Sequence, residues 1–205
     1  MDSSFRHFLW KRQKYLQESQ AIHFMELCKG HDTMSVKSIL MKNRALIHYK
    51  DSRGYTGLHA ACISMHDESP DIVEMILDVD PIVARHPDQL GQLPLHLACR
   101  NAGPELKRGY PIEGRNHKGA SVRRMVTTLL RAYPQGASVA DMDGLLPLDW
   151  ALRNPNPAAA EVALLLMQVY PDSMCGEPIS PGGTGVHALW RDLVACSRTS
   201  DKTFC

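Results

Sequence analysis

At 205 residues, with a formal net charge of +1, 44% apolar and 22% charged residues, the chain has the balance of an ordinary globular protein. Near-neutrality argues against whole-chain attraction to nucleic acid or a membrane, and no apolar run reaches the length of a membrane span. Six cysteines are scattered singly, without a Cys-x-x-Cys pair, which fits free thiols in a reducing compartment and an intracellular, cytoplasmic setting.

Taken in chain order, residues 1–19 predict a basic amphipathic helix. Phe5, Phe8, Leu9, Tyr15 and Leu16 recur at helical spacing among Arg6, Lys11, Arg12 and Lys14. A helix packed on the end of the fold is the default; a membrane-surface helix or a targeting segment are the alternatives. Residues 20–50 read as two further helices, Ala21 to Cys28 and one around Val36 to Leu40. His23, Cys28 and His31 offer three candidate metal ligands there. Zinc usually wants a fourth ligand or an open catalytic position, and no fourth stands nearby, so histidine and cysteine on a packed helix is preferred to a metal-dependent enzyme.

Residues 51–87 begin with a turn, Asp51-Ser52-Arg53-Gly54. Thr56 is placed to cap a small-residue helix from Gly57. The loop from Met65 to Pro70 then leads to a helix starting at Asp71 and carrying Ile72, Val73, Ile76 and Leu77. Residues 88–140 follow the same plan with an insertion at 101–121, where Gly-Pro pairs mark loop. Between Arg100 and Arg131 eight basic residues face two acidic ones, a local net charge of +6. A solvated loop is the default reading of the insertion, and a contact element for an acidic partner the functional one. Residues 141–178 repeat the plan with Leu146, Asp149 and Trp150 at the positions of Thr56, His59 and Ala60, which removes the threonine cap and puts regular stacking in doubt. Residues 179–195 read as a closing half-unit and 196–205 as a polar tail.

What organises these pieces is recurrence. Gly54-Tyr55-Thr56-Gly57-Leu58-His59-Ala60-Ala61-Cys62 returns 37 residues later as Gly91-Gln92-Leu93-Pro94-Leu95-His96-Leu97-Ala98-Cys99. After a further 53 it returns as Gly144-Leu145-Leu146-Pro147-Leu148-Asp149-Trp150-Ala151-Leu152, and more faintly at Gly182 to Leu189. Asp51, Asp88 and Asp141 each stand seven residues before the leucine, and Pro81, Pro134 and Pro171 close the longer helices. Self-similarity at such a period signals stacked supersecondary units.

At these residues the sequence resembles the ankyrin repeat family, whose hallmark is a turn followed by Thr-Pro-Leu-His and small residues. The resemblance covers about residues 20–195. It implies an all-α helical repeat solenoid with turn or hairpin connections, in which the histidine ties neighbouring turns by hydrogen bonds. It also implies a non-catalytic, monomeric protein–protein interaction module, an adaptor or scaffold displaying its turns and first helices along a concave face. The family's variable positions fall on Arg53, Tyr55, Gln92, Arg100, Asn101, Leu145, Arg153 and Asn154. Of these Arg53, Tyr55, Arg100 and Arg153 lead, since Arg and Tyr are over-represented among interface hot spots. The partner expected is a protein, and an acidic patch on it is the complement that the basic stretch calls for. Nucleic acid is disfavoured, because Tyr110 alone interleaves the basic charges. No phosphate loop, nucleophile elbow or zinc-protease motif is present, so no cofactor and no catalytic residue is assigned. A membrane-associated adaptor using the basic N-terminus is the second reading.

Overall fold

The computed structural model describes residues 3–30, 32–64, 67–102, 116–154 and 157–171. Among them the fold is all-helical, without a strand. The helices are α1 (Ser3–Lys29), α2 (Thr33–Lys42), α3 (Gly57–Ser64), α4 (Ser69–Val79), α5 (Pro94–Arg100), α6 (Asn116–Ala132), α7 (Pro147–Arg153) and α8 (Pro157–Val169). They pack in two layers. α1, α3, α5 and α7 follow one another in the first layer and α2, α4, α6 and α8 in the second, with each consecutive pair also in contact across the layers.

The first-layer helices are short and buried almost all round. In α3 every residue from Gly57 to Cys62 is buried, and in α5 every residue from Pro94 to Cys99. Small side chains make this possible: Ala60, Ala61, Cys62, Ala98, Cys99 and Ala151 are all at most 1% exposed, so backbones approach closely. Gly57 shows how closely, because a Cβ there would lie 2.5 Å from the Phe24 ring of α1. The second-layer helices carry one apolar face each. In α4 this is Ile72, Val73, Ile76 and Leu77, and in α6 Val122, Met125, Val126, Leu129 and Leu130.

Three of these longer helices end in one way. Asn43, Asp80 and Tyr133 take extended φ values of −149°, −156° and −146°, and each donates its N–H to the carbonyl four residues back. A 3-10 turn follows at Arg44–His48, Pro81–Arg85 and Pro134–Ser138. Pro81 and Pro134, expected only to stop a helix, open these turns at a position where a missing N–H is harmless.

Several expectations change. The boundary at residue 19/20 falls inside one unbroken helix, because nothing between Ser3 and Lys29 is Gly or Pro. α4 starts at Ser69 with Pro70 in its first turn, two residues before Asp71. Residues 116–121 of the expected insertion belong to α6, while 103–115 lie outside the described residues. So do the half-unit 179–195 and the tail 196–205. Among the described residues no helix is long and apolar enough to cross a membrane.

Candidate functional site

The site is built on three turns with one hydrogen-bond pattern. Asp51 Oδ1 accepts the N–H groups of Arg53 and Tyr55, both at 2.8 Å. Asp88 does the same for Leu90 and Gln92 at 2.8 Å, and Asp141 for Asp143 and Leu145 at 3.0 and 2.9 Å. Gly54, Gly91 and Gly144 sit at φ of 80°, 74° and 75°, the left-handed region that glycine enters without strain. Successive turns are joined at their backbones: Gln89 N–H donates to Arg53 O at 3.0 Å, and Met142 N–H to Leu90 O at 2.9 Å.

Histidines lock the turns to the helices. His59 Nδ1 accepts the Thr56 N–H at 3.1 Å, so its proton is on Nε2, which points at Gln92 O of the next turn at 3.3 Å. His96 repeats this with Leu93 N–H at 3.0 Å and Leu145 O at 3.3 Å. Burial pushes the His59 ring down to about 4 and also lowers His96, so both stay neutral. Leu93 and Leu146 supply no side-chain cap, as expected, but the residue three places on accepts their own N–H. In α7 that residue is Asp149, whose Oδ2 takes Leu146 N–H at 2.8 Å. Thr56 itself turns its hydroxyl to the His59 ring at 2.9 Å.

At the C-terminal ends of α5 and α7 this scaffold brings together residues far apart in sequence. Trp150 Nε1 donates to Asp141 Oδ2 at 2.9 Å, and Gln92 Nε2 approaches the same oxygen at 3.3 Å. Gln92 Oε1 accepts from Arg100 Nη1 at 3.3 Å. The guanidinium of Arg100 lies over the Trp150 ring at 5.5 Å and that of Arg153 at 6.0 Å. Asn154 Nδ2 donates to Arg100 O at 2.8 Å, joining the two helix ends. Asn101, beside Arg100, has a buried Nδ2 with no hydrogen-bond partner among the described residues. The result is a half-exposed indole carrying two guanidinium groups, neither of which has a carboxylate partner among the described residues.

Of the eight expected contact residues, Arg100, Arg153 and Asn154 meet on this ledge, and Asn101 follows Arg100 at the C-cap of α5. Gln92 and Leu145 are corrections: they are 2% and 8% exposed, Gln92 as the polar link beneath the ledge and Leu145 in the turn packing. Arg53 and Tyr55 sit on the turn before α3. Arg53 is exposed there, and the half-buried Tyr55 stacks on His59 with ring centroids 5.7 Å apart. Trp150 and Asp141 were not among the expected residues. Their spacing of nine, from turn to second helical turn, is the one signal that links them in sequence.

Of the basic stretch, Lys107, Arg108 and Arg115 of the expected insertion lie outside the described residues, whereas Arg123, Arg124 and Arg131 belong to α6. Arg124 of α6 pairs with Asp71 at 2.7 Å and with Glu74 at 2.5 Å, Arg131 reaches Glu74 at 3.7 Å, and Arg123 faces Glu161 at 4.0 Å. These charges are answered by α4 and α8 rather than left for a partner. The Glu74 hydrogen bond, ahead of the neighbouring charges, holds the Arg124 guanidinium more firmly protonated. Cys28 is buried and His23 exposed on opposite sides of α1, so the two do not converge on a metal; His31 lies outside the described residues. Burial pushes the thiols of Cys28, Cys62 and Cys99 well above the usual range and leaves them inert. No protein-family model and no curated protein matches the chain.

Proposed function

We propose that the chain is an ankyrin-type repeat array acting as a non-catalytic protein-binding module, with the Arg100–Trp150–Arg153 ledge as its central contact. One observation carries this reading: the guanidinium groups of α6 are neutralised within the fold, whereas Arg100 and Arg153 are held on an aromatic ring with no carboxylate partner among the described residues. Stacking fixes both groups in place, so a partner pays little ordering entropy on their behalf. An acidic side chain of a partner protein is the complement. The recurring turns support the repeat reading, because each neighbour bonds to the next through the same atoms.

The test is a quantitative pull-down comparing wild type, Arg100→Glu/Arg153→Glu and the control Arg123→Glu. Binding is expected to be lost with the first variant and kept with the control, and the lost proteins to be enriched in acidic segments. Equal retention by all three baits sinks the ledge as the contact.

A further inference from the structure

We propose that the N-terminal half of α1 docks on an anionic lipid surface. The helix has two apolar stripes on opposite sides. Ala21, Phe24, Met25 and Cys28 are buried against the body and define the inward side. At about 100° per residue, Leu16 lies roughly 120° from Cys28 and Tyr15 roughly 140° the other way, so the two straddle the outward pole. Both are exposed, Tyr15 at 73% and Leu16 at 53%, and Ile22 continues the stripe at 54%.

Charge selects the occupant. From Ser3 to Gln17 the sequence holds Arg6, Lys11, Arg12 and Lys14 and no acidic residue. Lys11 and Arg12 are exposed. Arg12 falls within the outward stripe, where a long stem lies along apolar surface with its charge at the headgroups. A basic helix with an outward aromatic and aliphatic stripe suits the boundary between anionic headgroups and acyl chains. A second copy of the chain fits less well, because pairing the two stripes would bring the exposed Lys11 and Arg12 of each copy into one interface.

The experiment is vesicle co-sedimentation of the full chain with phosphatidylcholine alone and with added phosphatidylserine. Wild type is expected to bind only the anionic vesicles, and to release as salt rises. Tyr15→Glu/Leu16→Glu is expected to lower the bound fraction about tenfold or more. Both side chains are exposed, so circular dichroism should confirm that this variant is folded. Arg100→Glu/Arg153→Glu should bind vesicles like wild type, which separates this site from the ledge. Absence of binding to anionic vesicles, or equal binding by the Tyr15/Leu16 variant, overturns the proposal. A salt-insensitive dimer in analytical ultracentrifugation, lost with that variant, overturns it in favour of a second copy.

Discussion

Protonating His59 would turn its Nδ1 from an acceptor into a donor facing the Thr56 N–H, so the cap of α3 and the charge state of one ring are a single variable. In the unfolded chain the ring takes a proton near 6.5, in the fold only near 4. Between those values the unfolded state binds more protons, so stability is complete above pH 6.5 and declines as pH falls toward 4. His59 alone accounts for a loss on the order of 3 kcal/mol, and His96 acts in the same direction. Urea unfolding from pH 7 to 4.5 checks this, and His59→Gln should flatten part of the slope. At Trp150, replacing the indole by Phe keeps an apolar ring but leaves Asp141 Oδ2 with the long Gln92 contact alone; a loss of about 1–2 kcal/mol is expected in the same assay. The histidines were legible in the sequence because they repeat at a fixed offset. Gln92 was not, because the carboxylate that draws it inward stands 49 residues away, and nothing local distinguishes an exposed turn glutamine from a buried one.

Helices in this fold are specified by pattern and ended by geometry, and the two can be perturbed separately. Gly91 has φ +74° and faces the Met142 backbone nitrogen, which a Cβ would approach to 3.1 Å. Gly91→Ala is therefore expected to cost about 1–3 kcal/mol, although it touches no core side chain. In α6 two adjacent residues make the contrast. Met125 is buried, and Met125→Ala should cost about 2–5 kcal/mol. Arg124 makes two ion pairs but is half exposed, so Arg124→Ala should cost under about 1 kcal/mol, less still in high salt. Thermal melts of the three variants order these expectations. Apolar spacing located α2 and α4 within a few residues, whereas the start of α6 was hidden under the expected insertion. The boundary at residue 19/20 followed from where the repeat resemblance begins, not from any helix breaker in the sequence. The backbone has no breaker there and simply presents a second face.

At the scale of the molecule, charge is sorted by layer. Second-layer helices pair their arginines with each other's carboxylates, while the first-layer ends hold theirs on an indole. The local net charge of +6 read from sequence counts the paired arginines of α6 and the stacked Arg100 alike, so charge counting alone does not separate the two kinds. Removing residues 1–18 should leave the cooperative unfolding midpoint nearly unchanged, since among the described residues the buried side chains of α1 are Ala21, Phe24, Met25 and Cys28. A midpoint that falls sharply would place part of the core in the deleted half.

That helix spans 27 residues without interruption, which makes it a shaft as well as a packing element. A shaft transmits angle. Two alanines inserted after Gln20 would rotate the outward stripe by about 200° relative to the body, whereas eleven would return it to within about 20° while lengthening the reach by roughly 16 Å. Any activity that needs the outward stripe and the ledge at once should therefore vanish with the short insertion and survive the long one. A flexible tether would be indifferent to both.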